Sequence, residues 1–244
     1  MSVLLVVPCF NEYERWDFDY WKALVSPGTL DVLFVNDGSS DETGSVLRST
    51  VKSTGAGILE LERNVGKAEA VRQGLLHVTA QDRDIVGYLD ADGAFPSTEV
   101  RRLADFATDL LLGDTANYEA VWSARILMAG REIERRSQRH YLGRIITTII
   151  APWHGYPIYD TQSGYKLFST NESLTACLQE PFRTRWFPDI ELLQRWKQIN
   201  GRPMRIWEEP VSGWRDVVGS KMNVGQYRQI LRDLSQIYQS RIVQ

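Results

Sequence analysis

Asp90 and Asp92 carry the densest potential chemistry in this sequence. They end the run Val86-Gly87-Tyr88-Leu89-Asp90-Ala91-Asp92-Gly93-Ala94, and a spacing of two puts both carboxylates on one face of a strand. Gly93 and Pro96 then stop that strand. Two like charges converging at a strand exit repel, and the triplet contains no Lys or Arg. A hard divalent cation, Mg²⁺ or Mn²⁺, would offset them, because such ions take oxygen ligands and commonly bridge one or two carboxylates to substrate phosphates. The same residues also suit a plain polar turn, so the neighbours decide.

Those neighbours are further polar strand exits. Val3 to Val7 is a continuous aliphatic run, as expected of a strand buried on both faces, and it leads into Pro8-Cys9-Phe10-Asn11-Glu12. Asp31 to Val35 leads into Asn36-Asp37-Gly38-Ser39-Ser40-Asp41, where Gly38 suits a tight turn and Ser40 or Asp41 suits a helix N-cap. Gly57 to Leu61 is followed by Arg63-Asn64-Val65-Gly66-Lys67, which lacks Walker A spacing but offers backbone N–H groups and a cation at a helix start. Residues 85 to 89 lead to Asp90, and Ala120 to Ser123 lead to Arg125. Ligands of open α/β sheets bind at the carboxyl ends of strands, so Asn11, Glu12 and Asp37 are candidate contacts as well as ordinary loop residues.

Helices over about 15–26 and 98–112 alternate with these strands, which predicts an α/β fold with a doubly wound, mostly parallel sheet and helices on both faces. The pattern changes after Arg125. Residues 131–144 carry Arg131, Arg135, Arg136, Arg139 and Arg144 in what reads as one helix, running into the apolar stretch Ile145 to Trp153. On composition this favours a core helix with a solvated basic end over a segment lying at a membrane surface. Asp160 to Phe168 reads as a turn into a strand, and Arg205 to Trp207 as another strand. Asp189 follows Pro188 at the start of a helix, where a carboxylate is stabilised and an N-cap is the ordinary role. Residues 224–241 read as a final amphipathic helix.

Composition bounds these readings. The 244 residues, 43% of them apolar, suffice for one large domain with a C-terminal helical extension over 224–244. A net charge of −3 gives no electrostatic case for nucleic acid. Cys9 and Cys177 form no disulfide framework, and a reducing cytoplasm is the default. The N-terminus lacks a basic region and reads as a first strand, not a signal peptide, and no apolar stretch reaches the length of a spanning helix. His77, His140 and His154 have no ligand-like spacing and receive no role. No feature specifies an oligomeric state.

Taken together, the series Val-Pro-Cys-Phe-Asn-Glu, Val-Asn-Asp-Gly-Ser-Ser-Asp, Asn-Val-Gly-Lys-Ala-Glu-Ala and Asp-Ala-Asp-Gly-Ala resembles the family 2 glycosyltransferases of GT-A fold. The stretches Asp160 to Phe168, Arg185 to Leu193 and Gly219-Ser220-Lys221 are similar to those of the dolichyl-phosphate glucosyltransferase and polyprenyl-phosphate glycosyltransferase subgroup, the glucosyl branch being nearer. The resemblance runs from Val3 to about Lys221 and implies a nucleotide-sugar-binding half over 1–125 and an acceptor-binding half over 126–223. It implies inverting transfer of a hexose from a nucleotide-sugar, UDP-glucose by the nearer branch, to a polyprenyl monophosphate at a membrane surface. It implies that Pro8, Asn11, Glu12, Asp37, Asn64 and Lys67 surround the nucleotide, with Asp37 accepting from the uracil edge. Asp90, Ala91 and Asp92 would hold ribose and metal. Arg125, Ser137 and Arg139 would face the acceptor phosphate, and Lys221 the transferred charge. Asp189 would orient the acceptor, or serve as base if the acceptor is a hydroxyl. The alternatives are GDP-mannose or UDP-GlcNAc as donor, a sugar hydroxyl of a glycolipid or polysaccharide as acceptor, or a nucleotide-binding module without catalysis. The implied location is the cytoplasmic membrane face, as a peripheral protein. Ser163 stands where the subgroup frequently has cysteine.

Overall fold

The computed structural model describes residues 3–25, 30–81, 83–113, 117–134, 158–217 and 232–233. The strands are β1 (Val3–Cys9), β2 (Leu30–Asn36), β3 (Gly57–Glu60), β4 (Ile85–Leu89), β5 (Ala120–Ala124), β6 (Glu132–Glu134), β7 (Tyr165–Ser169), β8 (Ile206–Pro210) and β9 (Gly213–Arg215). Seven of them make one sheet in the order β3-β2-β1-β4-β7-β5-β8, and β6 pairs with β9 in a small second sheet. All pairings in the main sheet are parallel except those of β7, which runs antiparallel to both β4 and β5. The α/β, mostly parallel architecture read from the sequence is therefore present.

Alternation along β1 shows how the sheet makes two cores. Val3, Leu5 and Val7 face a cluster with Trp21, Phe34, Leu47 and Leu103. Leu4 and Val6 face the opposite cluster, with Val71, Leu75, Leu193 and Trp196. The helices α1 (Phe18–Leu24), α2 (Thr43–Thr54) and α4 (Ser97–Leu112) cover the first face. The second is covered by α3 (Lys67–Thr79), α5 (Glu172–Leu178) and α6 (Pro188–Asn200). With both faces buried, a strand needs apolar residues at successive positions, which is why β1, β2 and β4 lack a polar alternation.

Two expectations are corrected. The segment from 131 does not begin as a helix: Glu132–Glu134 is a strand paired with Gly213–Arg215, its one buried residue being Ile133, at the position opposite Trp214. A turn at Gly130, φ +78°, precedes this strand, and its pairing with Gly213–Arg215 overrides the arginine periodicity there. Residues 135–157 lie outside the described set, as do Ser137, Arg139, Lys221 and the expected final helix apart from Arg232 and Asp233. The expected helix over 15–26 is split into a 3₁₀ turn, Tyr13–Arg15, and α1. The split follows from Asp17, whose carboxylate caps α1 by accepting the Tyr20 amide at 2.9 Å.

Candidate active site

The strand order reverses at the β1/β4 pair, and the carboxyl ends of those strands open the crevice where α/β sheets bind ligands. β1 delivers Asn11 and Glu12, β2 delivers Asp37, and β4 delivers Asp90 and Asp92 to this edge. Because β7 is reversed, its amino end lies at the same edge: Leu89 pairs with Tyr165, and the Asp90 amide donates to the Gly164 carbonyl at 2.9 Å. The turn 160–164 thus joins the site from a remote part of the chain.

The exit loops of β1 and β2 are stitched to each other. Asn11, in the left-handed region at φ +53°, accepts the Ser40 amide on its Oδ1 at 2.9 Å, and its own amide donates to Ser39 Oγ at 3.1 Å. Glu12 is buried, donates its amide to Thr43 Oγ1 at 2.7 Å, and its carboxylate is held by Arg15, with Nη2 to Oε1 at 2.6 Å. Pro8 sits in β1 beyond the last residue paired with β4, Val6, so its missing N–H breaks no ladder on that side.

Asp37 is 2% exposed, and its carboxylate is turned to the chain's own next loop. Its Oδ1 accepts the Val65 amide at 2.7 Å, and its Oδ2 accepts the Gly66 amide at 2.9 Å and Asn64 Nδ2 at 2.8 Å. Burial pushes the Asp37 carboxyl above its ordinary value, against the pull of these two amides and Arg185. The close approach requires Gly38 at φ +59°, since a Cβ there would collide with the backbone of Arg63 and Asn64. The helix start at Lys67 is likewise spent within the chain: besides those two amides, the Ala68 amide donates to the Arg185 carbonyl at 3.1 Å. Of the backbone donors expected there, those of Val65, Gly66 and Ala68 are taken up within the chain. Neither Ser40 nor Asp41 is the N-cap of α2; that position is Glu42, while Asp41 Oδ1 accepts the Thr43 amide at 2.9 Å.

Asp90 and Asp92 share the β4 exit, and the chain itself supplies one counter-charge. Lys67 Nζ lies 2.5 Å from Asp90 Oδ1. Asp92 keeps its negative neighbour: burial, then the Asp90 carboxylate, raises its carboxyl above the ordinary value, while the Ala94 amide, Lys67 and Arg15 oppose the shift. The Ala94 amide donates to Asp92 Oδ1 at 3.1 Å around the turn at Gly93, φ +66°. Ala91 packs partly buried between them against the core. Two neighbouring carboxylates, of which Lys67 pairs only Asp90, supply oxygen ligands of the kind a hard divalent cation takes. Among the described residues no group of three or more His, Cys, Asp or Glu converges as a protein cage, so such a cation would take its remaining ligands from phosphate oxygens or water.

On the other side, Arg125 makes a fork with Asp160, Nε to Oδ2 at 2.7 Å and Nη2 to Oδ1 at 2.8 Å, and lies 5.0 Å from the Trp214 ring centroid. The Tyr159 and Asp160 amides donate to Glu208, at 2.7 and 2.9 Å, which fixes this turn to β8. Asp189 is 6% exposed in the first turn of α6 and is not its N-cap, which is Phe187. Its Oδ1 accepts the Tyr88 hydroxyl and its Oδ2 lies 2.7 Å from Lys166 Nζ. Sequence reasoning singled out neither Tyr88 nor Lys166. A lysine inside the apolar run Tyr165-Lys166-Leu167-Phe168 was the available signal, as was Tyr88 lying two residues before Asp90 on the same strand face. The Arg125–Asp160 pairing had none, since 35 residues separate the partners.

Comparisons with known proteins bear on the family and the fold. The family model for glycosyl transferase family 2 matches residues 4–170. A dolichyl-phosphate beta-glucosyltransferase of Trichomonas vaginalis is 31% identical over 243 residues, covering 96% of this chain and 72% of that protein. A dolichyl-phosphate beta-glucosyltransferase of Drosophila melanogaster is 30% identical over 260 residues, covering 98% and 74%. Among solved structures, glucosyl-3-phosphoglycerate synthase from Mycobacterium tuberculosis, in complex with Mn²⁺, uridine-diphosphate and phosphoglyceric acid, superposes with a TM-score of 0.67 at 20% identity, covering 98% of this chain and 78% of that one.

Proposed function

The chain belongs to glycosyl transferase family 2 and has the GT-A fold, and from that premise we propose that it transfers glucose from UDP-glucose to a polyprenyl monophosphate with inversion. The observation that carries this reading is identity near 30% to dolichyl-phosphate glucosyltransferases across almost the whole chain.

In the proposed reaction, an oxygen of the acceptor phosphate attacks the anomeric carbon from the face opposite the nucleotide. The bond from that carbon to the diphosphate oxygen breaks, and UDP leaves with the electron pair. A phosphate acceptor is already an anion near neutral pH, so no proton need be removed. Asp90 and Asp92 would hold Mg²⁺ or Mn²⁺, which supplies charge stabilisation at the leaving diphosphate. Asn11, Glu12, Asp37 and Asn64 shape the three loops that would receive the nucleotide, with Pro8 and Ala91 lining it. Lys67 balances Asp90. Arg125 with Ser137, Arg139 and Lys221 would meet the acceptor phosphate and the developing charge, and Asp189 orients the acceptor side.

Incubating the chain with single nucleotide-sugars and a short polyprenyl phosphate, and weighing the products, tests this. The expected product is glucosyl phosphoryl polyprenol from UDP-glucose. Transfer from GDP-mannose or UDP-GlcNAc in its place would overturn the donor assignment, and transfer to a sugar hydroxyl but not to the lipid phosphate would overturn the acceptor.

A further inference from the structure

Lys166 has 0% exposed surface, at the centre of the sheet. On β7 it stands opposite Tyr88 of β4 and Trp122 of β5, and its ammonium lies 4.2 Å from the Trp122 ring centroid and 5.6 Å from that of Tyr88. An ammonium out of water is costly, and a methionine of similar length would fill the same space without that cost. All three of its N–H bonds are used: to Asp189 Oδ2 at 2.7 Å, to the Thr161 carbonyl at 2.8 Å and to the Tyr88 hydroxyl oxygen at 3.1 Å. These acceptors come from three separate elements: α6, the turn before β7, and β4.

Two of those elements, the turn before β7 and α6, carry the acceptor side of the site, and β4 joins them to the carboxylate pair. Thr161 follows Asp160, which holds the Arg125 fork. Asp189 opens α6 with both carboxylate oxygens engaged, one by Lys166 and one by the Tyr88 hydroxyl. Tyr88 in turn leads along one strand face to Asp90. Through these bonds one side chain joins all three elements.

We propose that Lys166 is a positioning residue: from beneath the site it fixes Asp189 and the Thr161 turn, and through Asp160 the Arg125 fork, in the one arrangement that receives the acceptor. Lys166 touches no substrate. Its effect falls on the acceptor step and leaves nucleotide-sugar binding alone. The inference rests on the glycosyltransferase reading above but not on the identity of the acceptor.

The test compares Lys166→Met, Lys166→Arg, Asp189→Asn and the double variant Lys166→Met/Asp189→Asn, using full chain and whichever acceptor the wild type glycosylates. Lys166→Met is expected to lower kcat/KM for the acceptor at least about tenfold, as small misplacements of a reacting group do. The calorimetric Kd for UDP-glucose should stay within about twofold, and the double variant should lose no more than the worse single one, because both act through one contact. Lys166→Arg should recover part of the loss. Should Lys166→Met not fold, Tyr88→Phe removes one donor to Asp189 without uncovering a charge, and should show the same acceptor-side loss, non-additive with Asp189→Asn. Independent losses that multiply, or a folded variant with acceptor kcat/KM within about twofold of wild type, would overturn the role. A wild type inactive on polyprenyl phosphate but active on another acceptor would overturn the acceptor assignment alone.

Discussion

Gly164 and Asp90 touch through backbone and side chain at once. The Asp90 amide donates to the Gly164 carbonyl at 2.9 Å, and a Cβ at position 164 would fall on the Asp90 carboxylate. The turn over 160–164 therefore comes this close to the carboxylate pair only because residue 164 has no side chain. Gly164→Ala should displace the Asp90 carboxylate, cost about 1–3 kcal/mol in unfolding free energy as overpacking does, and lower turnover at least about tenfold by misplacing a charged group. Denaturant melts and initial rates measure both, and unchanged turnover would show that Asp90 tolerates movement.

Asp92 is the carboxylate without a lysine of its own, and burial beside Asp90 raises its carboxyl. Turnover is expected to require Mg²⁺ or Mn²⁺, and Asp92→Ala to lower kcat at least about a hundredfold, the scale of one lost electrostatic contact to a transition state. Full activity in excess chelator would sink this.

The nucleobase is testable without any acceptor. Calorimetry with metal present should give tighter binding for UDP than for GDP. Equal or reversed affinities would move the assignment to a guanosine donor. Asp37→Asn should weaken either nucleotide indirectly, since Asp37 holds the amides of Val65 and Gly66 in place.

Glu119 gives a pH signature remote from the site. Burial alone would raise its carboxyl, but Arg202, the Arg205 amide and the Arg205 guanidinium outweigh it and hold the carboxyl below the ordinary 4.5. A depressed folded value contributes stability that is complete above the unfolded value and is lost as pH falls through the folded one. Glu119→Gln should cost about 1–2 kcal/mol near neutral pH, kept small by the exposure of the two arginines. Wild type and variant should converge on acidification below pH 4.5. Parallel curves down to strong acid would refute the assignment.

Binding at a membrane surface is expected from the acceptor, because each CH₂ of a polyprenyl chain brought into water costs about 0.8 kcal/mol. Five arginines between 131 and 144, followed by Ile145 to Trp153, supply the composition for it. The chain should co-sediment with anionic vesicles, less so in high salt and less so as Arg139→Glu. Among the described residues, no helix is long and apolar enough to cross a membrane. Absence of vesicle binding together with transfer to a soluble sugar would favour the saccharide acceptor.

Local signals carried the parallel part of the sheet. β1, β2, β4 and β5 were each legible as apolar runs ending in polar residues, because a strand buried on both faces writes its burial into consecutive positions. Asp90 and Asp92 were legible for the same reason, being one strand turn of a period-two pattern. What Lys67, Arg125 and Asp189 pair with was not, since each partner is fixed by strand order and not by sequence distance. The helix read at residue 131 failed where the pairing of Ile133 with Trp214, 81 positions away, overrode local arginine spacing.

The reversed strand also sets an order of assembly. β4 and β5 are not neighbours; the place between them is filled by β7, made only at residues 165–169. A chain emerging from the ribosome thus completes β1 through β5 with two central edges still unpaired, and every hydrogen bond across that gap waits for about forty further residues to be synthesised and turned back, at roughly 5–20 residues per second. Such non-local closure slows folding and exposes strand edges meanwhile. A fragment ending at Arg125 holds all the carboxylates of the donor side and yet leaves β4 and β5 with no strand between them, so separate expression of the two halves is expected to yield aggregate, and their co-expression a folded whole.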